Sequence, residues 1–355
     1  MPIGAISELA SGRGPGAGLR EPVLVTGATG FTGGHLARRL RQLGHPVRAL
    51  VRAGADPKPL LAQGIEVVEG DITRAADVER AAAGVCKIFH IAAVFRTAGH
   101  PDSYYYAVNL GGTQNVLAAA RRHGVERVLH CSTVGVHGGV HDIPSTEESP
   151  FNPGDIYQRT KLAGEQAARE ACAWGLPVTV VRPSPIYGPG DLRLLKLFRT
   201  VENGTFRMFG SGEAFFHLVY IDDLIDGMLL CAERPEALGQ VFILAGPRYL
   251  RLNEIVELIA GAVGVPPPRG RLPMWPLMAA AAACEAICRP LHVEPPLHRR
   301  RADFFRKNRA FSTEKARCLL GYEPRVDPQD GIHRTAQWYF ENGHLGGAHR
   351  RRAAS

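Results

Sequence analysis

The stretch V-L-V-T-G-A-T-G-F-T-G-G, residues 23–34, constrains this chain more than any other. Three apolar β-formers run straight into a glycine-rich turn. Leu36, Leu40 and Leu43 then recur at helical spacing, with Arg38, Arg39 and Arg41 between them. The pattern predicts a strand, a tight turn and a helix. In such a turn Gly27 supplies backbone angles closed to other residues, Gly30 lets a ligand approach the main chain, and Gly33 lets the helix lie against its strand. The unpaired N–H groups of the helix start then face a pyrophosphate. Thr29, Phe31 and Thr32 belong to the same expected dinucleotide site. Ordinary strand-to-helix turns use glycine too, so the reading depends on the segments C-terminal to the turn.

Those segments alternate regularly. A second strand, V-R-A-L-V at 47–51, ends where a dinucleotide fold meets the adenosine ribose, and an acidic residue there would bond both ribose hydroxyls of NAD. Arg52 stands there instead. A guanidinium suits a 2′-phosphate, so Arg52 favours NADP over NAD, with Arg48 as a lesser helper. The alternative is a surface arginine at a strand end. A third strand at 65–68 is followed by Asp71, placed to accept from an adenine amino group, with Ile72 beside it. A fourth, at 87–91, ends in the small Ala92 and Ala93, over which phosphates and ribose would pass. A helix over 104–119 carries Asn109 among apolar neighbours, which reads as a structural amide that can also anchor the active-site end of the helix.

Chemistry enters with the fifth strand, 127–131. It runs into Ser132 and Thr133, hydroxyls at the carboxyl end of a central strand, where ligands bind in this architecture. Further along comes Y-Q-R-T-K. Tyr157 and Lys161, four apart, share one helix face. A free phenol, with a pKa of about 10, is a poor base at neutral pH. A neighbouring ammonium favours the phenolate and brings the group toward working range. Such spacings arise by chance on solvated helices; the order of glycine turn, strand-end hydroxyl, tyrosine and lysine raises this one.

Charge and composition exclude several classes. The formal charge is +8, but residues 289–309 carry seven basic and two acidic side chains and residues 341–355 three and one, so the rest is near neutral. That distribution predicts a solvated helix face plus a disordered tail and no nucleic-acid partner, with a weak attraction to anionic lipid or an acidic substrate as the alternative. Seven scattered cysteines show no metal-ligand spacing and no disulfide framework, which fits a reducing cytoplasm. Residues 1–20 read as a flexible extension. The longest apolar run, near 275–288, is interrupted by Pro276 and Glu285 and is too short to span a bilayer.

Taken together, these motifs resemble the extended short-chain dehydrogenases/reductases, which share their fold with sugar-nucleotide epimerases and dehydratases. The resemblance covers roughly residues 23–340. T-G-A-T-G-F-T-G matches the family's glycine turn, S-T its strand end, Y-Q-R-T-K its Y-x-x-x-K, and R-P-S-P-I-Y-G-P-G-D its segment beside the nicotinamide. The resemblance implies Tyr157 as proton donor or acceptor and Lys161 as holder of the nicotinamide ribose. Thr133 would bond the substrate oxygen, with Ser132 as its backup, and Pro183 and Ile186 would pack near the ring. It also implies a homodimer through the helices of Tyr104 and Tyr157.

Departures from the family pattern narrow the substrate. Sugar dehydratases carry Asp-Glu after the threonine; here Val134 and Gly135 stand in those places. Where sugar-nucleotide enzymes place an arginine and an aspartate to clamp a diphosphate, this chain has Phe216 and His217, and a ring cannot pair with phosphate. His137 replaces a usual tyrosine and reads as a pocket wall. The C-terminal third resembles 3β-hydroxysteroid dehydrogenase-like members, whose substrates are large and apolar. Its alanine-rich helix near 274–288 reads as a core helix or a substrate wall, with lengthwise membrane contact a weaker third reading. The expected architecture is a doubly wound α/β sheet over 21–187, rejoined at about 218–245. A smaller substrate domain would take 188–217 and 246–345, with a basic tail at 346–355. The expected activity is hydride transfer between a nicotinamide and a secondary alcohol or ketone of a fairly apolar small molecule. A nucleotide-sugar 4-epimerase with tightly held NAD and a non-catalytic redox sensor are the alternatives.

Overall fold

A computed structural model describes residues 21–95, 99–288 and 302–346. The N-terminal extension, the basic run at 289–301 and the basic tail from 347 lie outside them. Seven strands form one sheet: β1 (Val23–Thr26), β2 (Val47–Val51), β3 (Glu66–Glu69), β4 (Lys87–His90), β5 (Arg127–Cys131), β6 (Val178–Pro183) and β7 (Val241–Leu244). Their order is β7-β6-β5-β4-β1-β2-β3, every pair parallel. This is the doubly wound sheet expected from the sequence.

Parallel neighbours need crossovers, and the crossover helices cover both faces. Strand alternation decides which residue meets which layer. Val23 and Val25 share a core with Leu36 and Leu40 of α1 (Phe31–Gln42), while Leu24 points the other way, into a core with Val116 and Leu117 of α2 (Gly112–Arg122). Edge strand β3 begins one residue later than the sequence predicted. It exposes Glu66 and Glu69, charges that discourage pairing with another chain. Because β1 lies between β2 and β4, the direction in which successive strands are added reverses there and a crevice opens at the strand ends.

Two expectations need correction. The helix expected over 104–119 is three pieces: Asp102–Tyr106, a π turn at Ala107–Gly111, and α2. The wide turn sets the Asn109 carbonyl against Gly164 of α3 (Ile156–Ala173), where an added Cβ would lie 2.5 Å from that oxygen. Apolar periodicity does not reveal one extra residue in a turn. The alanine-rich helix, α5 (Met274–Cys288; α4 is Ile221–Glu233), is neither core nor pocket wall. Only Ala281 is buried, and none of its residues lines the cavity over the strand ends. It is apolar all round, so the sequence offered no stripe from which to choose a face.

Candidate active site

A cavity of about 810 Å³ runs over the carboxyl ends of the strands, and apart from Arg48 every residue singled out above for the cofactor or the chemistry lines it. At one end stands the glycine turn. Gly27 has φ +76°, and a Cβ there would come within 2.8 Å of the Ala92 nitrogen; a Cβ on Gly33 would overlap the Gly27 carbonyl. Helix α1 follows Gly30 as its N-cap, with no side-chain cap and no acidic residue in its first turn, leaving its first N–H groups to an anion. A pyrophosphate fits this cradle, whereas larger residues would fill it.

At the same end Arg52 donates to the Tyr104 hydroxyl at 2.9 Å, and His100 stacks on the Tyr104 ring at 4.3 Å. Asp71 accepts from the Thr73 amide and hydroxyl through one oxygen. Arg48 is no helper here: its guanidinium is held by Glu66 and by the carbonyls of Ala81 and Ala83. Arg48 is the second residue of β2, so it sits toward the amino end of the strand while the cavity lies over the carboxyl end.

The middle of the cavity is set by α3, whose first turn is capped by Asp155 accepting from the Gln158 amide at 2.9 Å. Tyr157 is half-buried with its ring edge-on to Phe95 at 4.8 Å. Lys161 is buried and donates to the Cys131 carbonyl at the end of β5. Burial pushes its pKa down, while Cys131 and Glu165 push the other way. The Thr133 hydroxyl accepts from the Gly135 amide at 3.0 Å, which leaves its proton to donate. Ser132 also lines the cavity, but its hydroxyl donates to the Glu165 carboxylate at 2.6 Å.

That carboxylate belongs to a network the sequence reading missed. Glu165 and Arg182, both fully buried, form a bidentate pair; Arg182 also donates to the Glu147 carbonyl and to His137. His137 is therefore not a pocket wall. Its Nε2 faces Arg182 and its Nδ1 the Pro150 carbonyl, and burial, then Arg182, holds its pKa down. A polar ring next to a buried arginine finds its partner inside the protein. The residues were marked though their pairing was not: Glu165 continues the four-residue spacing of Tyr157 and Lys161, and Arg182 is the one charge in its strand.

Asn109 is the structural amide expected. Its side chain bonds the Val94 amide and carbonyl and the Thr160 hydroxyl, joining the loop after β4 to α3. Beneath it, buried His90 bridges Thr26 of β1 and Thr113 of α2.

The far end is apolar, lined among others by Leu197, Phe216, Leu252, Ile255 and Phe304. Arg309 is also there, its guanidinium 5.0 Å from the Phe216 ring. His217 turns inward, its two ring nitrogens against the carbonyls of Phe311 and Gly246.

Comparison with known proteins is consistent across sequence and fold. Residues 23–245 match the model of a family described as NAD dependent epimerase/dehydratase. The 2-alkyl-3-oxoalkanoate reductase of Stenotrophomonas maltophilia is 32% identical over 324 residues, covering 88% of this chain and 97% of its own. The decarboxylating sterol-4-alpha-carboxylate 3-dehydrogenase of Schizosaccharomyces pombe is 30% identical over 333 residues, covering 89% and 96%. Among solved structures, gox2253 superposes with a TM-score of 0.80 at 30% identity, over 92% of this chain and 100% of the other. The dTDP-glucose 4,6-dehydratase DesIV of Streptomyces venezuelae, solved with NAD and TYD bound, superposes with a TM-score of 0.73 at 27% identity, over 90% and 97%.

Proposed function

The chain belongs to the NAD dependent epimerase/dehydratase family, the extended short-chain dehydrogenases/reductases, and from that premise we propose that it interconverts a ketone and a secondary alcohol of an apolar compound. One observation carries the reading. A single cavity joins the glycine turn, the Tyr157 and Lys161 face of α3, and a far end walled by rings and alkyl groups. The names of two relatives point the same way, one specifying a 3-oxoalkanoate and the other a sterol acted on at position 3.

A dinucleotide held by the glycine turn and the start of α1 would supply or accept the hydride. Tyr157 gives its phenolic proton to the substrate oxygen as the carbonyl carbon is reduced, and takes it back in the reverse direction. Lys161, buried against the Cys131 carbonyl, places a cation on the same helix face and favours the phenolate. The Thr133 hydroxyl donates to the same oxygen, where negative charge develops. Ser132 takes no part in this, because its proton goes to Glu165. Arg52 beside Tyr104 suits a 2′-phosphate, which favours NADP and, with it, reduction.

The test uses NADPH and NADH deuterated at the nicotinamide with a panel of alkyl, terpenoid and steroid ketones. Deuterium at the carbinol carbon of a product, with NADPH preferred, is the expected result. Conversion of a UDP-hexose to its 4-epimer without added cofactor, and no ketone reduced, would overturn the reading.

A further inference from the structure

We infer that helix α5 is a docking surface for an anionic lipid membrane. Its fifteen residues, M-W-P-L-M-A-A-A-A-A-C-E-A-I-C, hold one charge, Glu285, and only Ala281 is buried. Trp275 is 72% exposed and Ile287 64%. A surface helix of a water-soluble protein buries an apolar stripe and shows a polar one; this helix is apolar all round and leaves most of that surface uncovered. No helix among the described residues is long and apolar enough to cross a membrane, so α5 lies along one. A tryptophan near its start is the side chain that settles at the headgroup level of a bilayer.

Charge says which surface covers it. Arg269 and Arg271 are exposed just before the helix, and exposed Arg306 comes back against it, its Nη1 3.7 Å from the Met278 sulfur. In sequence, residues 289–301 add four arginines against one glutamate. Three exposed arginines thus flank an exposed apolar helix, and the sequence that follows it is basic. That pairing suits acidic lipid headgroups over acyl chains. A second copy of this chain would bring the same cations to the same place.

The helix is also connected to the cavity. Arg271–Leu272 pairs with Met208–Phe209; Phe209 meets Phe305 edge-on at 5.4 Å, and Phe305 meets Phe304, which lines the apolar end. Docked through α5, the protein holds that end near the bilayer, from which an apolar ketone reaches it without crossing bulk water. This consequence rests on the proposed activity; the docking does not.

The test is co-sedimentation of the full chain with vesicles of phosphatidylcholine alone or with about one third phosphatidylglycerol. Wild type is expected on the anionic vesicles, at least about tenfold more weakly on neutral ones, and to come off at about 0.5 M salt. Joint replacement Trp275→Glu and Ile287→Glu, both at exposed sites, is expected to weaken binding at least about tenfold while leaving NADPH affinity unchanged. Trp174→Glu, equally exposed but elsewhere, is expected to bind vesicles as wild type does. Absence of wild-type binding, or equal binding by the double variant, overturns the inference. So does a dimer that the double variant splits when wild type ignores vesicles, because the helix is then a subunit interface. Vesicle binding is read without turnover, so its failure leaves the ketone reading intact, and the reverse also holds.

Discussion

At the glycine-turn end of the cavity the wall is largely main chain; at the other end it is rings and alkyl groups. The first is built from consecutive residues, Gly27 to Gly33, plus the small Ala92 and Ala93 of the neighbouring strand. The second draws Leu197, Phe216, Leu252 and Phe304 from segments far apart in the chain. Backbone N–H groups recognise a phosphate whatever the rest of the chain does, so that end tolerates little change. Side-chain packing sets only size and apolarity, so the other end can be recut without disturbing the first.

Substitutions at the two ends should therefore separate. Of the substitutions at the two ends the largest effect is expected from Gly33→Ala, which puts a methyl into the Gly27 carbonyl and should weaken dinucleotide binding by up to about a hundredfold in a fluorescence titration. Phe304→Ala should lower kcat/KM for an apolar ketone by about tenfold or somewhat more, with NADPH affinity unchanged, because it removes only part of the apolar wall. If it weakened NADPH equally, the two ends would not be independent. Arg52→Ala should weaken NADPH by about five- to tenfold and leave NADH alone, the contact being an exposed one. Equal affinities before and after would remove the reason for preferring the phosphate.

A smaller effect is expected beneath the dinucleotide end. Burial, with Lys161 second, lowers the His90 pKa to about 3 from 6.5. The unfolded chain therefore takes up this proton below 6.5 while the folded chain does not. The stability is full above 6.5 and is lost as pH falls toward 3, by about 1 kcal/mol over the first unit. Urea midpoints at pH 7.5 and 5.5 should differ accordingly, and the difference should shrink in His90→Gln.

The same contrast governs what the sequence made legible. The strand, turn and helix at 23–42, Tyr157 with Lys161, and the strand-end hydroxyls could be read because each depends on residues near one another in the chain. The roles of Glu165 and Arg182 could not, because a buried ion pair forms between a helix and a strand whose contact the sequence does not state. His137 misled for that reason: its partner lies forty-five residues away. Helix α5 misled differently. Its composition was legible, but apolarity without periodicity does not tell burial from exposure.

The two ends make one site only if Tyr157 links them. The direct measurement is Tyr157→Phe under saturating NADPH with an apolar ketone that wild type reduces, reading kcat beside the NADPH dissociation constant. A fall in kcat of about a thousandfold, with the dissociation constant within about threefold of wild type, is the result expected. Turnover at the wild-type rate would contradict the account.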